Sequence, residues 1–225
     1  DGIHIDDYVV DNKLSSADVV SLIMNLCEIL QFIHKRGVLH KDLKPNNILI
    51  KQVNKIPYPV LIDFGIASLG GEKSELVFAT PAYSSPEQIA GQAIDQSTDI
   101  YALGMLFGCL LIKIQHSADY VLSHQNSREK MLTALKQAHI DLDLQQVIRK
   151  MVAKSTENRY QSADSVRSDL NLWQSGYPLS FNSHQLHRVL VKSIKRHPIA
   201  FAGILLALFL ALFFTLKYTQ DTYHL

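Results

Sequence analysis

The chain has 225 residues, of which 47% are apolar and 19% are charged, a composition that permits a buried core and argues against wholesale disorder. The formal net charge is +1, with basic and acidic residues spread along the sequence, which argues against a dedicated nucleic-acid-binding protein. The two cysteines, Cys27 and Cys109, lie in apolar stretches, so a disulfide framework is excluded and reduced core thiols are expected.

Residues 15–36 carry the strongest helical pattern in the sequence. Ser15 with Asp18 three residues later is typical of a capping box at a helix start, and Gly37 is typical of a helix end. The apolar residues between them fall on one face, so this helix is predicted to pack against the core.

Two apolar runs follow, separated by a polar connection that contains proline. If residues 48–51 pair antiparallel with residues 59–62, they form a two-stranded hairpin. Further along the chain, residues 100–112 predict a helix buried almost all round, and residues 142–153 and 162–173 predict two amphipathic helices. The predicted fold class is therefore α+β, mostly helical with one small sheet element.

The composition changes near the C-terminus, where residues 199–216 read IAFAGILLALFLALFFTL, 18 residues without a charge. A helix of this length, rising about 1.5 Å per residue, would be about 27 Å long, close to the thickness of a bilayer's hydrocarbon core. We therefore predict a membrane-spanning helix. A buried core helix is the alternative, but such helices rarely lack a polar face.

Basic residues are concentrated before this segment, whereas only Lys217 follows it closely; they are Arg188, Lys192, Lys195 and Arg196. Because positive charge marks the cytoplasmic flank, we predict a single-pass protein of the cell membrane with its body in the cytoplasm. The predicted divisions are a body over residues 1–175, a basic juxtamembrane linker over 176–198, the transmembrane helix over 199–216 and a short extracytoplasmic tail over 217–225. The linker is either an amphipathic helix on anionic lipid or a solvated connection.

Three polar residues interrupt the apolar pattern around the predicted hairpin: Asp42, Asn47 and Asp63. Asn47 and Asp63 flank its open end, and neighbours across an antiparallel pair lie about 5 Å apart, so an amide oxygen and a carboxylate would meet there. Such oxygens suit Mg²⁺ that also keeps water and phosphate ligands. Asp42 would accept a proton from an incoming hydroxyl, and Lys44 would place a cation near a transferred phosphoryl group.

At these residues the sequence resembles the C-lobe of the catalytic domain of eukaryotic-like Ser/Thr protein kinases. His40-Lys41-Asp42 is similar to the HRD triplet, Asp42 to Asn47 has the HxDxxxxN spacing, and Asp63-Phe64-Gly65 is the DFG motif. The resemblance continues along the chain. Residues 80–87 are similar to the end of an activation segment, and residues 97–104 are similar to the buried central helix. Residues 157–160 are similar to the segment whose arginine pairs with the glutamate at position 87. It covers residues 1–173 and, with the apolar segment that follows, points to bacterial membrane-anchored kinases.

The resemblance implies a role for each of these residues. Asp42 would orient and deprotonate the substrate hydroxyl, and Lys44 would stabilise the γ-phosphate of ATP. Asn47 and Asp63 would hold Mg²⁺, and Leu49 would lie under the adenine. Thr80 would contact the catalytic loop and favour Ser/Thr substrates, and Glu87 and Arg159 would form a buried ion pair. Asp99 would hold the backbone of the catalytic loop, and His40 would be a structural histidine.

The predicted function is that of a membrane-tethered Ser/Thr protein kinase, which transfers the γ-phosphate of ATP, with Mg²⁺, to hydroxyls of a protein substrate. No nucleic-acid partner is expected, and a homodimer is left open. Asp1-Gly2 resembles the position just after the hinge between kinase lobes, and the Gly-rich loop has no counterpart, so this stretch by itself is expected to be inactive without an N-lobe. The alternatives are a pseudokinase scaffold or binding module, and a small-molecule phosphotransferase of related fold.

One residue departs from the family pattern in a way that bears on regulation. Lys41 stands where the family usually has an arginine, and a lysine offers a point charge instead of a bidentate fork. Activation through a phosphorylated loop is therefore less secure than in relatives with the arginine.

Overall fold

A computed structural model describes residues 2–63, 68–69, 82–112, 126–182 and 198–222. The chain divides into two units, residues 1–174 and residues 175–225. The first unit contains β1 (Ile3–His4), α1 (Ile5–Asp11), α2 (Ser16–His34), β2 (Val38–Leu39), β3 (Ile48–Val53), β4 (Ile56–Leu61), β5 (Ser68–Leu69), α3 (Pro86–Ile89), α4 (Gln96–Leu111), α5 (Ser127–Gln137), α6 (Leu142–Met151) and α7 (Ala163–Gln174). The mostly helical fold with a small sheet is confirmed.

Helix α2 begins as the sequence predicts. The Ser15 hydroxyl accepts a hydrogen bond from the Asp18 amide at 3.2 Å, and the Asp18 carboxylate accepts one from the Ser15 amide at 2.9 Å. This capping box satisfies amides that the first helical turn leaves without carbonyl partners. The helix ends at His34, two residues before the predicted end, and its apolar face packs against α4 and α7.

Among the helices whose side chains are all described, α2 is the only one long and apolar enough to cross a membrane. Seven of its side chains are buried in the first unit: Val19, Val20, Leu22, Ile23, Leu26, Cys27 and Leu30. It is therefore a core helix of this unit.

The predicted hairpin is present, but its register was predicted one residue out. Strand β3 pairs antiparallel with β4 so that Ile48 lies opposite Leu61, whereas the predicted pairing placed it opposite Ile62. The cause is the two-residue turn between the strands, where Asn54 and Lys55 have φ values of 52° and 66°. Turns with left-handed backbone at both central positions match strand twist and fix the register of a hairpin.

The sheet also has a third strand that the sequence pattern did not predict. Strand β1 is two residues long and pairs antiparallel with β3, so the sheet order is β1-β3-β4. A separate two-stranded pair joins β2 to β5. The side chains of β3 alternate at its start, with Ile48 and Ile50 buried and Leu49 on the opposite face.

Helix α4 lies at the centre of the first unit, and every residue from Ser97 to Leu111 is buried. It begins earlier than predicted, at Gln96, because the Asp95 side chain accepts a hydrogen bond from the Ser97 amide and caps the helix there. Helix α6 packs against it at Gly104, where an added Cβ would lie 2.7 Å from the Met151 Cβ. The absence of a side chain at Gly104 therefore permits the close approach of the two helices.

Of four further helices, the periodicity of apolar residues predicted two and missed two. Helices α6 and α7 lie within two residues of their predicted bounds. Helix α5 was not predicted, although Met131, Leu132 and Leu135 form its buried stripe, because its other side chains are almost all polar. Helix α1 was also missed, being only seven residues long.

The second unit contains a single long helix among its described residues, α8 (Pro198–Thr222), 25 residues in length. It includes the whole predicted apolar segment 199–216. The apolar side chains described on it are exposed, among them Ile199, Leu205, Leu206, Leu208, Phe209, Leu210, Leu212 and Phe213. The predicted helical conformation is present, and the predicted membrane crossing stays a prediction.

Candidate active site

The loop between β2 and β3 brings three of the predicted site residues together. Asp42 is 8% exposed, and its carboxylate Oδ2 atom lies 2.7 Å from Lys44 Nζ. The same oxygen accepts a hydrogen bond from Asn47 Nδ2 at 3.0 Å. A carboxylate with an ammonium group and an amide on one oxygen keeps a fixed direction, and within the described part of the chain its other oxygen, Oδ1, is the one able to face a reacting group.

The amide of Asn47 is oriented by two acceptors. Its Nδ2 atom donates to the Asp42 carbonyl at 2.8 Å as well as to the Asp42 carboxylate. Because both partners only accept, the amide nitrogen must face Asp42, and Oδ1 then points away from it. A buried amide oxygen held in this way fits a hard cation such as Mg²⁺.

Asp63 follows the open end of the hairpin. The Ile62 amide donates to the Asn47 carbonyl at 2.9 Å, so Asn47 lies opposite Ile62 and Asp63 comes one residue later. Asp63 is exposed and has a φ of 62°, a left-handed conformation that aspartate adopts more readily than most residues. This bend lies two residues after the last residue of β4, at the position where the second oxygen ligand was predicted. Phe64, Gly65 and Thr80 lie outside the described residues.

Asp99, at the start of α4, holds the backbone of the loop between β2 and β3, which the family resemblance identifies as the catalytic loop. Its Oδ2 atom accepts a hydrogen bond from the His40 amide at 2.9 Å, and its Oδ1 atom accepts one from the Lys41 amide at 2.8 Å. The His34 ring nitrogen Nε2 lies 2.8 Å from Oδ2. The carboxylate that the resemblance placed beneath the loop is therefore in contact with two consecutive amides, and His34 is a further partner that the sequence analysis missed.

His40 is fully buried beneath the loop. Burial lowers the pKa of His40 below its ordinary value of 6.5, against the attraction of Asp99 and Asp42, which favours the charged form. The imidazole is thus held neutral near pH 7. This environment suits the structural role predicted for it.

Glu87 and Arg159 form a two-point buried ion pair. Arg159 Nη1 lies 2.6 Å from Glu87 Oε1, and Nη2 lies 2.8 Å from Oε2. The Thr98 hydroxyl also donates to Oε1, at 3.0 Å. Burial alone would raise the pKa of Glu87 and is the largest single influence on it. The hydrogen bonds and charge of Arg159, together with hydrogen bonds from the backbone and Ser85, outweigh burial, so the pKa lies below its ordinary value of 4.5.

Leu49 lies on β3 opposite Val60 of β4 and His4 of β1. It is partly exposed and faces away from the core side of the strand. Gly2 approaches it closely, since an added Cβ there would lie 3.1 Å from the Leu49 Cβ. The predicted adenine contact at Leu49 stays a prediction.

Gln88, on α3, was also missed by the sequence analysis. Its Nε2 atom donates to the Lys41 carbonyl at 2.8 Å, within the catalytic loop. Its partner lies 47 residues away in sequence, and a glutamine after a proline and a glutamate has no local pattern that would indicate such a contact.

Comparison with known proteins identifies the family of the chain. Residues 2–170 match the family model described as the protein kinase domain, and the chain belongs to that family. It is 34% identical over 189 residues to the serine/threonine-protein kinase PknB of Mycobacterium leprae, an alignment covering 79% of this chain and 30% of that protein. It is 33% identical over 174 residues to the serine/threonine-protein kinase Pkn1 of Myxococcus xanthus, covering 72% of this chain and 25% of that protein.

A solved structure shows the same relationship. The crystal structure of the Mycobacterium tuberculosis PknI kinase domain is 26% identical, with a TM-score of 0.59, and the match covers 76% of this chain and 62% of that one. The resemblance to bacterial Ser/Thr kinases is thereby confirmed. The chain spans about 30% of the length of the PknB relatives that it matches.

Proposed function

We propose that this chain carries the catalytic loop of a Ser/Thr protein kinase, which transfers the γ-phosphate of ATP to a protein hydroxyl. The observation that supports this most is the contact of both Lys44 and Asn47 with one carboxylate oxygen of Asp42. A carboxylate beside a cation and an oriented amide oxygen are the groups that hydroxyl deprotonation and phosphoryl transfer require. Membership of the protein kinase family supports the same conclusion.

In this proposal each residue acts through its own chemistry. Asp42 accepts the proton of the substrate hydroxyl and orients that oxygen toward the phosphorus. Lys44 stabilises negative charge on the phosphoryl group as it is transferred. Asn47 Oδ1 and the Asp63 carboxylate hold Mg²⁺, which supplies neutralising charge to the phosphates. Leu49 lies under the adenine, and Thr80 favours Ser/Thr acceptors, as the family resemblance implies.

The direct test is phosphate transfer by the natural full-length protein. We expect Asp42→Asn to lower the rate of transfer from radiolabelled ATP to a protein substrate by about 10²–10⁴-fold, because the variant loses the proton acceptor. Asp164→Asn is the matched control, since Asp164 is exposed and pairs with surface Arg167, and it should leave the rate unchanged.

Three outcomes would count against the proposal. Equal transfer by the wild type and Asp42→Asn would remove Asp42 from the chemistry. No transfer by the wild type would favour a pseudokinase that acts as a scaffold. Mass spectrometry that finds phosphate on a small molecule, and never on protein Ser or Thr, would favour a small-molecule phosphotransferase.

We also propose that α8 tethers the kinase body to the membrane. The helix is 25 residues long, which exceeds the roughly 20 residues needed to cross a bilayer, and its described apolar side chains are exposed. The concentration of basic residues before it favours a cytoplasmic body.

Cysteine labelling tests this orientation. Both natural cysteines are buried, so the background should be low. A membrane-impermeant thiol reagent should label Thr219→Cys in intact cells, and should label Lys51→Cys, on exposed β3, only after the cells are opened. Labelling of both sites only after opening would refute the proposed topology.

A further inference from the structure

Gln88 connects the short helix α3 to the catalytic loop. Its side chain is 7% exposed, and its Nε2 atom donates to the Lys41 carbonyl at 2.8 Å. Its Oε1 atom accepts from the Ser85 amide at 3.1 Å and completes the capping box of α3. Because one end of the amide faces donors and the other faces an acceptor, the orientation of Gln88 is fixed without ambiguity.

The bond to Lys41 controls a peptide plane that Asp99 does not reach. Asp99 holds the amides of His40 and Lys41, and these belong to the two peptide planes that precede the Lys41 Cα. The next plane contains the Lys41 carbonyl and leads directly into Asp42. Within residues 2–63, 82–112 and 126–182, Gln88 is the group that hydrogen-bonds this carbonyl.

The backbone conformation at Lys41 makes the orientation of the Lys41–Asp42 peptide plane dependent on its surroundings. Lys41 has a φ of 69°, in the left-handed region that a residue with a Cβ disfavours. Such a conformation persists only where the surroundings hold it, and it returns to an extended or right-handed conformation when they do not. A rotation there would change the direction in which the following residue, Asp42, leaves the backbone.

We propose that Gln88 is a positioning residue, which holds the Lys41–Asp42 peptide plane so that the Asp42 carboxylate faces the phosphate acceptor. The proposal rests on the proposed kinase function, because it assigns Gln88 an effect on phosphate transfer through Asp42. It links helix α3, where Gln88 lies next to the segment 80–87, to the geometry of the proton acceptor.

Two variants of Gln88 remove the donor in different ways. Gln88→Met has no polar group, whereas Gln88→Glu keeps an oxygen for the Ser85 amide and replaces the donor to Lys41 with a carboxylate oxygen, which only accepts. In the natural full-length protein we expect both to lower kcat about tenfold, with the KM values for ATP and protein substrate changed less than about twofold, since positioning acts on the transition state. Ser85→Ala is the control, because it weakens the capping box and leaves the Lys41 contact intact.

A rescue experiment separates positioning from general damage. Glycine adopts the left-handed conformation at no steric cost, so Lys41→Gly should need the Gln88 contact less. We expect Gln88→Met to lower kcat less than about threefold in the Lys41→Gly background. An equal loss in both backgrounds would overturn the proposal, because the effect of Gln88 would then not pass through Lys41.

Amide hydrogen exchange tests the positioning without any catalysis. Exchange over residues 39–44 should be faster in Gln88→Met than in the wild type, while exchange over α4 and in Ser85→Ala stays unchanged. Unchanged exchange over residues 39–44 would refute the inference even in an inactive protein. A wild type that transfers no phosphate but shows the expected exchange would refute the proposed function alone.

Discussion

Replacing Arg159 with methionine should strongly destabilise the kinase body. The guanidinium is fully buried, makes two bonds to Glu87, and donates to the carbonyls of Ala153 at 2.7 Å, Ser97 at 3.2 Å and Lys154 at 3.2 Å. Arg159→Met therefore leaves a buried carboxylate without its cation. Breaking a buried pair from one side costs about 3–5 kcal/mol of unfolding free energy, which corresponds to roughly 6–20 °C in Tm for a unit of this size.

Urea unfolding followed by tryptophan fluorescence measures this loss. Trp173 is the only tryptophan in the sequence and lies on α7, where its Nε1 atom donates to Asp141 at 2.9 Å. Arg167→Met is the matched control, because it removes the same side chain from an exposed pair with Asp164. We expect this control to cost no more than about 1 kcal/mol.

The double variant Glu87→Leu/Arg159→Met supplies a second check on the cause. Removing both charges leaves no uncompensated carboxylate, so it should recover part of the stability that Arg159→Met alone loses. If Arg159→Met is no less stable than Arg167→Met, the ion pair does not carry the stabilisation assigned to it. If the double variant is as unstable as Arg159→Met, the loss comes from the bonds to backbone carbonyls.

Two further predictions concern the same core. The pKa of Glu87 is below 4.5 in the folded state, so its contribution to stability is present above pH 4.5 and is lost as the pH falls through the folded-state value. The unfolding free energy, measured at a series of acidic pH values, should therefore fall less steeply for Glu87→Gln than for the wild type. Gly104→Ala should lower the unfolding free energy in urea by about 1–3 kcal/mol, because its Cβ would meet the Met151 Cβ. Gly108→Ala should lower it less, because its Cβ would meet the flexible Met131 thioether. Equal losses for the two variants would refute the steric argument.

Much of the fold could be predicted because it depends on local patterns. The capping box at Ser15 and the apolar stripe that follows it specify α2 from the sequence alone. The register of the hairpin was missed because it depends on the backbone at Asn54 and Lys55, and that dipeptide is not among the strongest turn sequences. Helix α5 was missed because polar residues outnumber its buried stripe.

The residues of the candidate site likewise include some that local sequence predicts and some that it does not. Asp42, Lys44 and Asn47 lie within six positions of one another, so a linear motif identifies them and the structure places them in contact. Two of the contacts that support this loop join residues that are far apart in sequence. His34 meets its partner Asp99 across 65 positions, and Gln88 meets Lys41 across 47, so only the tertiary structure reveals them.

Helix α3 connects the stability of the body to the geometry of the site. It has only four residues, too few for a helix to be stable without tertiary contacts. Glu87 ties it to Arg159, and the next residue, Gln88, contacts the catalytic loop at Lys41. A change that loosens the ion pair should therefore also weaken the contact that holds the Lys41 carbonyl. For this reason the effect of Gln88 on kcat has to be measured with Glu87 and Arg159 intact, where the stability of α3 is not itself in question.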